Sequence, residues 1–139
     1  FIDLKKAYDN VPRTKLIDTL KSIGTSSSLL RIISDNIAYI KQGRELSEPI
    51  YPTKDLRQGY RVSPLLFIIY VERTLQQLKL KCEGMGLPIG EVHLFTLSFA
   101  DDQVALAQNS FAMEFMLTRL YEEYKKWGLE VSSNLDIEI

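Results

Sequence analysis

The apolar residues at the start of the chain follow first a strand-like and then a helical spacing. FIDL, residues 1–4, is predicted to form a short strand that contains Asp3. Pro12 suits the first turn of a helix, and Gly24 is typical of a helix end. Apolar residues recur between them at three- and four-residue intervals, which predicts one amphipathic helix with Leu16, Ile17, Leu20 and Ile23 on its apolar face.

A second helix is predicted directly after this glycine. Residues 26–28 are serines that can cap its start, apolar residues recur at helical spacing over 29–40, and Gly43 marks its end. Residues 46–58 contain two prolines, so we expect extended chain or short edge strands there.

The middle of the chain contains its most apolar segment. Ser63 and Pro64 predict a helix start, because a capping hydroxyl precedes a proline at the first helical position. The run LLFIIYV that follows is apolar on every side of a helix, which predicts a buried helix. Residues 84–90, GMGLPIG, are rich in glycine and predict a loop.

The last third of the chain predicts a hairpin, a helix and a strand. Residues 92–99 and 104–107 are predicted to pair as a hairpin whose tip is residues 100–103. Apolar residues at helical spacing over 113–127 predict a helix, and LEV, residues 129–131, predicts a last short strand. The whole pattern indicates an α+β fold in which an antiparallel sheet is backed by helices.

Composition and charge narrow the functional classes. The chain has 139 residues and 45% hydrophobic content, which indicates one globular domain, and its longest apolar run is far shorter than the roughly 20 residues that span a bilayer. We therefore expect no membrane partner. Residues 1–81 carry 14 basic and 8 acidic residues, a net charge of +6, whereas residues 82–139 carry 3 and 10, a net charge of −7. The basic part can face phosphates, or both parts can simply be solvated surfaces.

The adjacent carboxylates of Asp101 and Asp102 stand inside an apolar, strand-like run, where like charges repel and need a compensating cation. Oxygen ligands of this kind suit Mg²⁺. Asp3 also lies within an apolar strand, so three carboxylates converge if the two strands are neighbours, as in two-metal phosphoryl transfer. By itself an Asp-Asp pair is more typical of an ordinary surface turn.

Four segments, read in order, resemble the palm motifs of reverse transcriptases, above all those of non-LTR retrotransposons: FIDLKKAYDNVPR, LRQGYRVSPLLFIIYVE, FADD and WGLEV. The resemblance spans nearly the whole chain. It implies a partial reverse transcriptase domain over residues 1–139, with a polymerase palm built on a ferredoxin- or RRM-like core. It also implies an RNA-directed DNA polymerase that adds dNTPs to a DNA primer on an RNA template, with Mg²⁺ or, alternatively, Mn²⁺.

The resemblance implies a role for each matched residue. Asp3, Asp101 and Asp102 would be catalytic metal ligands, joined by the backbone carbonyl of Leu4. Tyr8 would pack beneath the incoming sugar and exclude a 2′-OH. The remaining nucleotide contacts would come from Lys6, Ala7, Gln58 and Gly59, with weaker phosphate contacts from Arg57 and Arg61. From the residues alone, Tyr8 is equally a core aromatic, Gln58-Gly59 an ordinary turn, and the two arginines solvated side chains.

The sequence also departs from the family pattern. Tyr60 is bulky where the family often has a small residue, and Ser132 and Leu135 stand where an asparagine and a lysine usually follow the last motif. The chain opens on Phe1 at the start of a motif, so we expect a fragment whose fingers and thumb are largely missing and which is inactive alone. The alternatives are a catalytically dead remnant, a group II intron maturase-type enzyme, and an RNA-copying polymerase. The resemblance implies a nuclear or cytoplasmic protein, and oligomeric state and element clade stay open.

Overall fold

The computed structural model describes residues 1–35, 41–51, 56, 61–99 and 101–132. Within them the chain forms four helices and six short strands. The helices are α1 (Arg13–Ser22), α2 (Ser27–Ser34), α3 (Ser63–Lys81) and α4 (Ser110–Lys126). The strands are β1 (Lys41–Gln42), β2 (Glu45–Leu46), β3 (Leu87–Ile89), β4 (Val92–Leu94), β5 (Thr96–Phe99) and β6 (Asp102–Ala105), paired in sequence as three antiparallel hairpins. The fold is therefore a mixture of helices and small antiparallel sheets.

Two isolated bridges extend the hairpin of β5 and β6. Ile2 pairs with Gln103 of β6, and Leu4 pairs with Val131, both antiparallel. Residues 1–5, which we call the first strand although they form only these bridges, thus lie between β6 and the segment that follows α4. The predicted strands at residues 1–4 and 129–131 are found here as single bridges rather than as longer ladders.

The helices begin where the sequence provides caps. The side chain of Ser26 accepts a hydrogen bond from the Leu29 N–H at the start of α2, and Asn109 accepts one from the Ala112 N–H at the start of α4. α3 begins at Ser63 with Pro64 in its first turn, and Val62 rather than Ser63 is its N-cap residue. Proline suits this position because its missing N–H has no helical partner there.

The core lies between the sheet residues and the buried faces of α1, α3 and α4. Its largest fully buried side chains include Tyr70, Tyr124, Phe67, Leu16, Leu78, Met116 and Leu120. Tyr70 donates a hydrogen bond to the backbone carbonyl of Trp127, and the two aromatic rings pack edge-to-face. These contacts connect α3 to the end of α4. Among the described helices, none is both long enough and apolar enough to cross a bilayer.

The second helix is shorter than the pattern predicts. α2 ends at Ser34, and the predicted continuation over 36–40 lies outside the described residues. Gly43 does not end this helix, because it lies in the turn between β1 and β2, where its φ of 65° suits a glycine. Its left-handed conformation fits a helix end and a hairpin turn equally well, which explains the wrong prediction.

The apolar helix and the predicted hairpin also differ from expectation. In α3 the side chains of Leu65 and Ile68 are 56% and 51% exposed, so only one face of this helix is buried. Residues 87–89, predicted as loop, form β3. The predicted strand over 92–99 is divided into β4 and β5, and β6 begins at Asp102, so only residues 100–101 separate β5 from β6.

Candidate active site

Asp3 and Asp102 are brought together by the pairing of the first residues with β6. In the Ile2–Gln103 bridge each N–H donates to the partner's carbonyl oxygen, at 2.8 and 3.3 Å. One residue further along this antiparallel pair, Asp3 falls opposite Asp102. Side chains of such a pair are close, since the Cα atoms of a regular non-hydrogen-bonded pair lie about 4.5 Å apart. The register therefore makes the two carboxylates neighbours.

Burial separates the two faces of this pair of strands. Ile2 and Gln103 are buried at 3% and 2% exposure, whereas Asp3 and Asp102 are exposed. Successive side chains of a strand point to opposite faces, so the helices cover one face and both carboxylates lie on the other. Asp3 and Asp102 thus lie on the same face, as a shared site requires.

A cavity of about 500 Å³ lies over the face that carries the carboxylates. Asp3 and Asp102 both line it, together with apolar side chains that include Phe1, Leu97, Phe99 and Val104. Phe99 is 84% exposed. The cavity thus combines two hydrated carboxylates with an exposed aromatic surface.

Asp101 and Tyr8 lie close enough to interact electrostatically. Burial raises the pKa of the Tyr8 phenol, and the negative charge of Asp101 raises that pKa further. The Tyr8 ring is half-buried and packs against Phe67 of α3, with ring centroids 4.8 Å apart, and its carbonyl accepts a hydrogen bond from the Leu56 N–H at 2.9 Å. Tyr8 is therefore held by these contacts within electrostatic reach of Asp101, the first of the two adjacent carboxylates.

The backbone between Asp3 and Tyr8 has an unusual conformation. Lys6 has a φ of 44°, which is rare for a residue with a side chain. Its carbonyl accepts a hydrogen bond from the Asn10 N–H at 3.0 Å, and Ala7 beside it is buried. Leu4 is buried as well, in its bridge with Val131. The predicted triphosphate contacts of Lys6 and Ala7 thus fall in a tight, well-held turn.

Most of the residues predicted to make the other nucleotide contacts lie outside the described part of the chain. Arg57, Gln58 and Gly59 lie outside the described residues, and so does Tyr60. Arg61 is described and exposed, directly before α3.

A metal site needs ligand side chains that lie close together. Within the described part of the chain, no three His, Cys, Asp or Glu side chains form a group that could hold a metal ion. The structure thus places Asp3 opposite Asp102 but does not group both with Asp101 as three ligands of one metal site, and the joint role of the three carboxylates as metal ligands stays a prediction. Asp3 and Asp102 alone fit Mg²⁺, which commonly takes one or two protein carboxylates and completes its shell with water and substrate phosphates.

Sequence reasoning missed two residues behind this site. Gln103 was expected at a hairpin tip, but it lies in β6 with its side chain buried, and Tyr124 of α4 donates a hydrogen bond to its Oε1. The apolar spacing of the last helix marked Tyr124 as a core residue but carried no signal for a polar partner. A strand that begins at Asp102, with successive side chains on opposite faces, is the signal that would have placed Gln103 inside.

A larger cavity of about 880 Å³ runs along α4. Its lining combines apolar residues such as Met113, Leu117 and Tyr121 with the acidic Glu114 and Glu122. It contains none of the residues that carry the predicted chemistry, so we take the smaller cavity as the candidate site.

The chain is similar to known proteins over nearly its whole length. The sequence model of a family described as "Reverse transcriptase (RNA-dependent DNA polymerase)" matches residues 1–134. Among curated proteins, the Pol polyprotein of the type-1 retrotransposable element R2 of Nasonia vitripennis is 27% identical over 134 residues, covering 94% of the chain. That of the type-2 element R2DM of Drosophila melanogaster is 24% identical over 139 residues, and that of an R2 element of Popillia japonica is 26% identical over 143 residues, covering 96% and 99% of the chain.

These relatives are much longer than the chain. The aligned region is 13% of the length of the Nasonia and Drosophila proteins and 20% of the Popillia protein.

Proposed function

Because this chain belongs to the reverse transcriptase family, we propose that it supplies the palm region of an RNA-directed DNA polymerase from a non-LTR retrotransposon. The relatives are described as Pol polyproteins of R2 elements, and this favours a retrotransposon over a group II intron maturase. The substrates would be dNTPs, an RNA template and a DNA primer. Residues 1–139 would form part of the reverse transcriptase domain.

The observation that carries the proposal is the pairing of the first residues with β6. It brings Asp3, of the first motif, opposite Asp102, of the third motif FADD, although the two residues are 99 positions apart in the sequence. Their exposed face and shared cavity support a site that binds a ligand rather than a structural ion pair. Two exposed carboxylates at one point favour a cation there.

Bound Mg²⁺ ions would neutralise phosphate charge and stabilise the attacking and leaving oxygens of nucleotidyl transfer. The chain's own residues would hold and orient the substrates. Asp3, Asp101 and Asp102 would supply the carboxylate oxygens, with the Leu4 carbonyl beside them. The turn at Lys6 and Ala7 would present its backbone N–H groups to the triphosphate, as nucleotide phosphates commonly bind to successive amides in a turn.

Tyr8 would exclude a ribose 2′-OH. Its ring packs against Phe67, and the hydrogen bond from the Leu56 N–H to its carbonyl holds its backbone, so the ring would resist displacement by an added hydroxyl group. Its proximity to Asp101 puts it next to the proposed metal ligands. Gln58 and Gly59 would contact the nucleotide or the template, and Arg57 and Arg61 the phosphates.

The proposal is tested by primer extension with a purified longer protein that contains these 139 residues and extends primers, together with an RNA template, a DNA primer, dNTPs and Mg²⁺. We expect extension to be lost in Asp102→Asn, which removes a charge but keeps the shape of the side chain. Asp9→Asn is the matched control, because Asp9 is also exposed and close in sequence to Asp3. Equal extension by unaltered protein and Asp102→Asn would contradict the proposed function.

A further inference from the structure

Gln103 is a buried polar residue directly beside the proposed carboxylate site. Its side chain is 2% exposed and accepts a hydrogen bond from the hydroxyl of Tyr124, which is itself fully buried. The Nε2 of the same side chain is buried and has no hydrogen-bond partner among the described residues. A buried amide nitrogen of this kind costs stability, and an apolar side chain of similar size would avoid that cost.

Tyr124 belongs to α4, and the segment that follows this helix pairs with the first strand, which carries Asp3. Its carbonyl accepts a hydrogen bond from the Leu129 N–H at 2.8 Å, where the chain leaves α4. The residues that follow pair with the first strand: the Lys5 N–H donates to the Glu130 carbonyl at 2.8 Å, and the Ser132 N–H donates to the Asp3 carbonyl at 2.7 Å. α4 therefore contacts β6 through the Tyr124 side chain and the first strand through the segment after its end.

The register between these two strands is weakly specified by the backbone. They share one bridge, between Ile2 and Gln103. A slip of one residue would expose Ile2 and bury Asp3, so burial opposes it. A slip of two residues keeps every side chain on its own face, and burial does not oppose it. Asp3 would then lie opposite Val104 or position 100, and the two carboxylates would be separated.

We infer that Gln103 and Tyr124 form a positioning pair that fixes this register and thereby the spacing of Asp3 and Asp102. The inference rests on the proposed function, since it concerns the same carboxylates. The hydrogen bond ties β6 to α4, and the segment leaving α4 ties the first strand to the same helix. A single helix end thus positions both strands. A buried polar contact that selects one register at a cost in stability has this role in other folds.

The test measures Mn²⁺ binding and thermal unfolding of the 139-residue chain, with Mn²⁺ followed by electron paramagnetic resonance so that no activity is needed. Tyr124→Phe removes only the hydroxyl. We expect it to raise the Mn²⁺ dissociation constant by about tenfold, the lower end of what loss of a supporting hydrogen bond costs a metal site. Thr74→Val is the matched control, because the fully buried Thr74 hydroxyl donates a hydrogen bond within its own helix, to the Tyr70 carbonyl, and has no other partner among the described residues. It should lower stability without changing Mn²⁺ affinity.

The double variant Gln103→Met with Tyr124→Phe separates positioning from stability. It removes both polar groups, so we expect thermal stability to recover above that of Tyr124→Phe while Mn²⁺ affinity stays weak. Recovery of Mn²⁺ affinity together with stability would overturn the inference, because the pair would then act only on folding. Unchanged Mn²⁺ affinity in Tyr124→Phe would overturn it too.

Failure of the proposed function gives a different result. The unaltered chain would then bind no Mn²⁺, or bind it equally well in Asp102→Asn. Either result would overturn the proposed metal site and, with it, the inference. When Mn²⁺ binding is lost in Asp102→Asn but unchanged in Tyr124→Phe, the site stands and only the positioning role is rejected.

Discussion

Asp3 and Asp102 owe their exposure to the buried residues beside them. Ile2 and Leu4 are buried on either side of Asp3, and Gln103 is buried next to Asp102. Because successive side chains of a strand point to opposite faces, both carboxylates then point outward. The charge therefore sits at the edge of the core without being desolvated by it, and neither carboxylate needs a cationic side chain to be tolerated there.

Tyr8 provides the sharpest single-residue prediction. Tyr8→Ala removes the ring proposed to block a 2′-OH, so we expect incorporation of ribonucleotides relative to deoxyribonucleotides to rise by about tenfold or more. Single-nucleotide extension with matched dNTP and rNTP, in a protein that polymerises, measures this ratio. Tyr8→Phe is the control and should keep the discrimination, since it preserves the ring packed on Phe67. An unchanged ratio in Tyr8→Ala would argue against the sugar-excluding role.

Gly128 connects α4 to the segment that pairs with the first strand. Its φ is +76°, and a Cβ there would lie 2.6 Å from Cγ of Pro12. Gly24 has a similar φ of +82° but open space around it. We expect Gly24→Ala to cost about 1–2 kcal/mol from backbone conformation alone, and Gly128→Ala about 1–3 kcal/mol more from the clash.

Urea unfolding of the two glycine variants measures the difference. Equal destabilisation would show that the contact between Pro12 and Gly128 is not tight in solution. The comparison isolates sterics, because both glycines have the same left-handed backbone.

Packing of α3 against α4 includes a buried carboxylate. Glu123 is 4% exposed and accepts hydrogen bonds from Lys81 of α3 and from Lys126, the latter at 3.0 Å. Burial by itself would raise the pKa of Glu123, but the hydrogen bonds and charges of the two lysines outweigh burial and hold that pKa below its usual value. The ion cluster thus favours the folded state while Glu123 is ionised.

The depressed pKa of Glu123 predicts a pH dependence of stability. Its contribution is fully present above the pKa of an unfolded glutamate, about 4.3, and is lost as pH falls through the lower folded-state pKa. We expect Glu123→Gln to lower the free energy of unfolding by about 1–2 kcal/mol at pH 7. The difference from the unaltered chain should shrink in urea unfolding below about pH 4. A difference that is constant with pH would contradict this assignment.

Exposed apolar side chains occur at several places on the described part of the molecule. Leu65 and Ile68 lie on the outer side of α3, and Phe99 lies beside the carboxylates. The chain corresponds to 13% of the length of its Nasonia and Drosophila relatives, and nucleotidyl transfer depends on positioning of both substrates as much as on metal ions. The basic residues 1–81, with their net charge of +6, would give only a salt-sensitive attraction to nucleic acid.

We therefore expect the 139-residue chain by itself to give no measurable primer extension on an RNA template, while it still binds Mn²⁺ weakly. Its binding to a primer–template duplex should fall steeply as salt is raised. The measurement is extension with purified chain, Mg²⁺ and dNTPs, beside Asp101→Ala with Asp102→Ala. Extension that disappears in the doubly substituted chain would prove this expectation wrong.

Local patterns were enough to predict several elements of this protein and the residues proposed for its chemistry. The spacing of apolar residues predicted α1 and α4, because residues three and four apart share one face of a helix whatever the rest of the chain does. Ser63 and Pro64, followed by an apolar run, predicted α3. The order of four short motifs predicted the family, which the match over residues 1–134 confirms. A run that is apolar on every side does not indicate which face of the helix is buried. The prediction for α3 therefore did not anticipate that Leu65 and Ile68 would be exposed.

Only the tertiary structure decided how the proposed site is assembled. The bridge between Ile2 and Gln103 joins residues 101 positions apart, and no local period encodes its register. The hydrogen bond between Tyr124 and Gln103 likewise depends on how α4 packs beneath β6. Periodicity assigns a side chain to a face of its own element, whereas the neighbour it meets there depends on long-range packing and pairing. The sequence by itself therefore identified Asp3 and Asp102, and the pairing of distant strands made them neighbours.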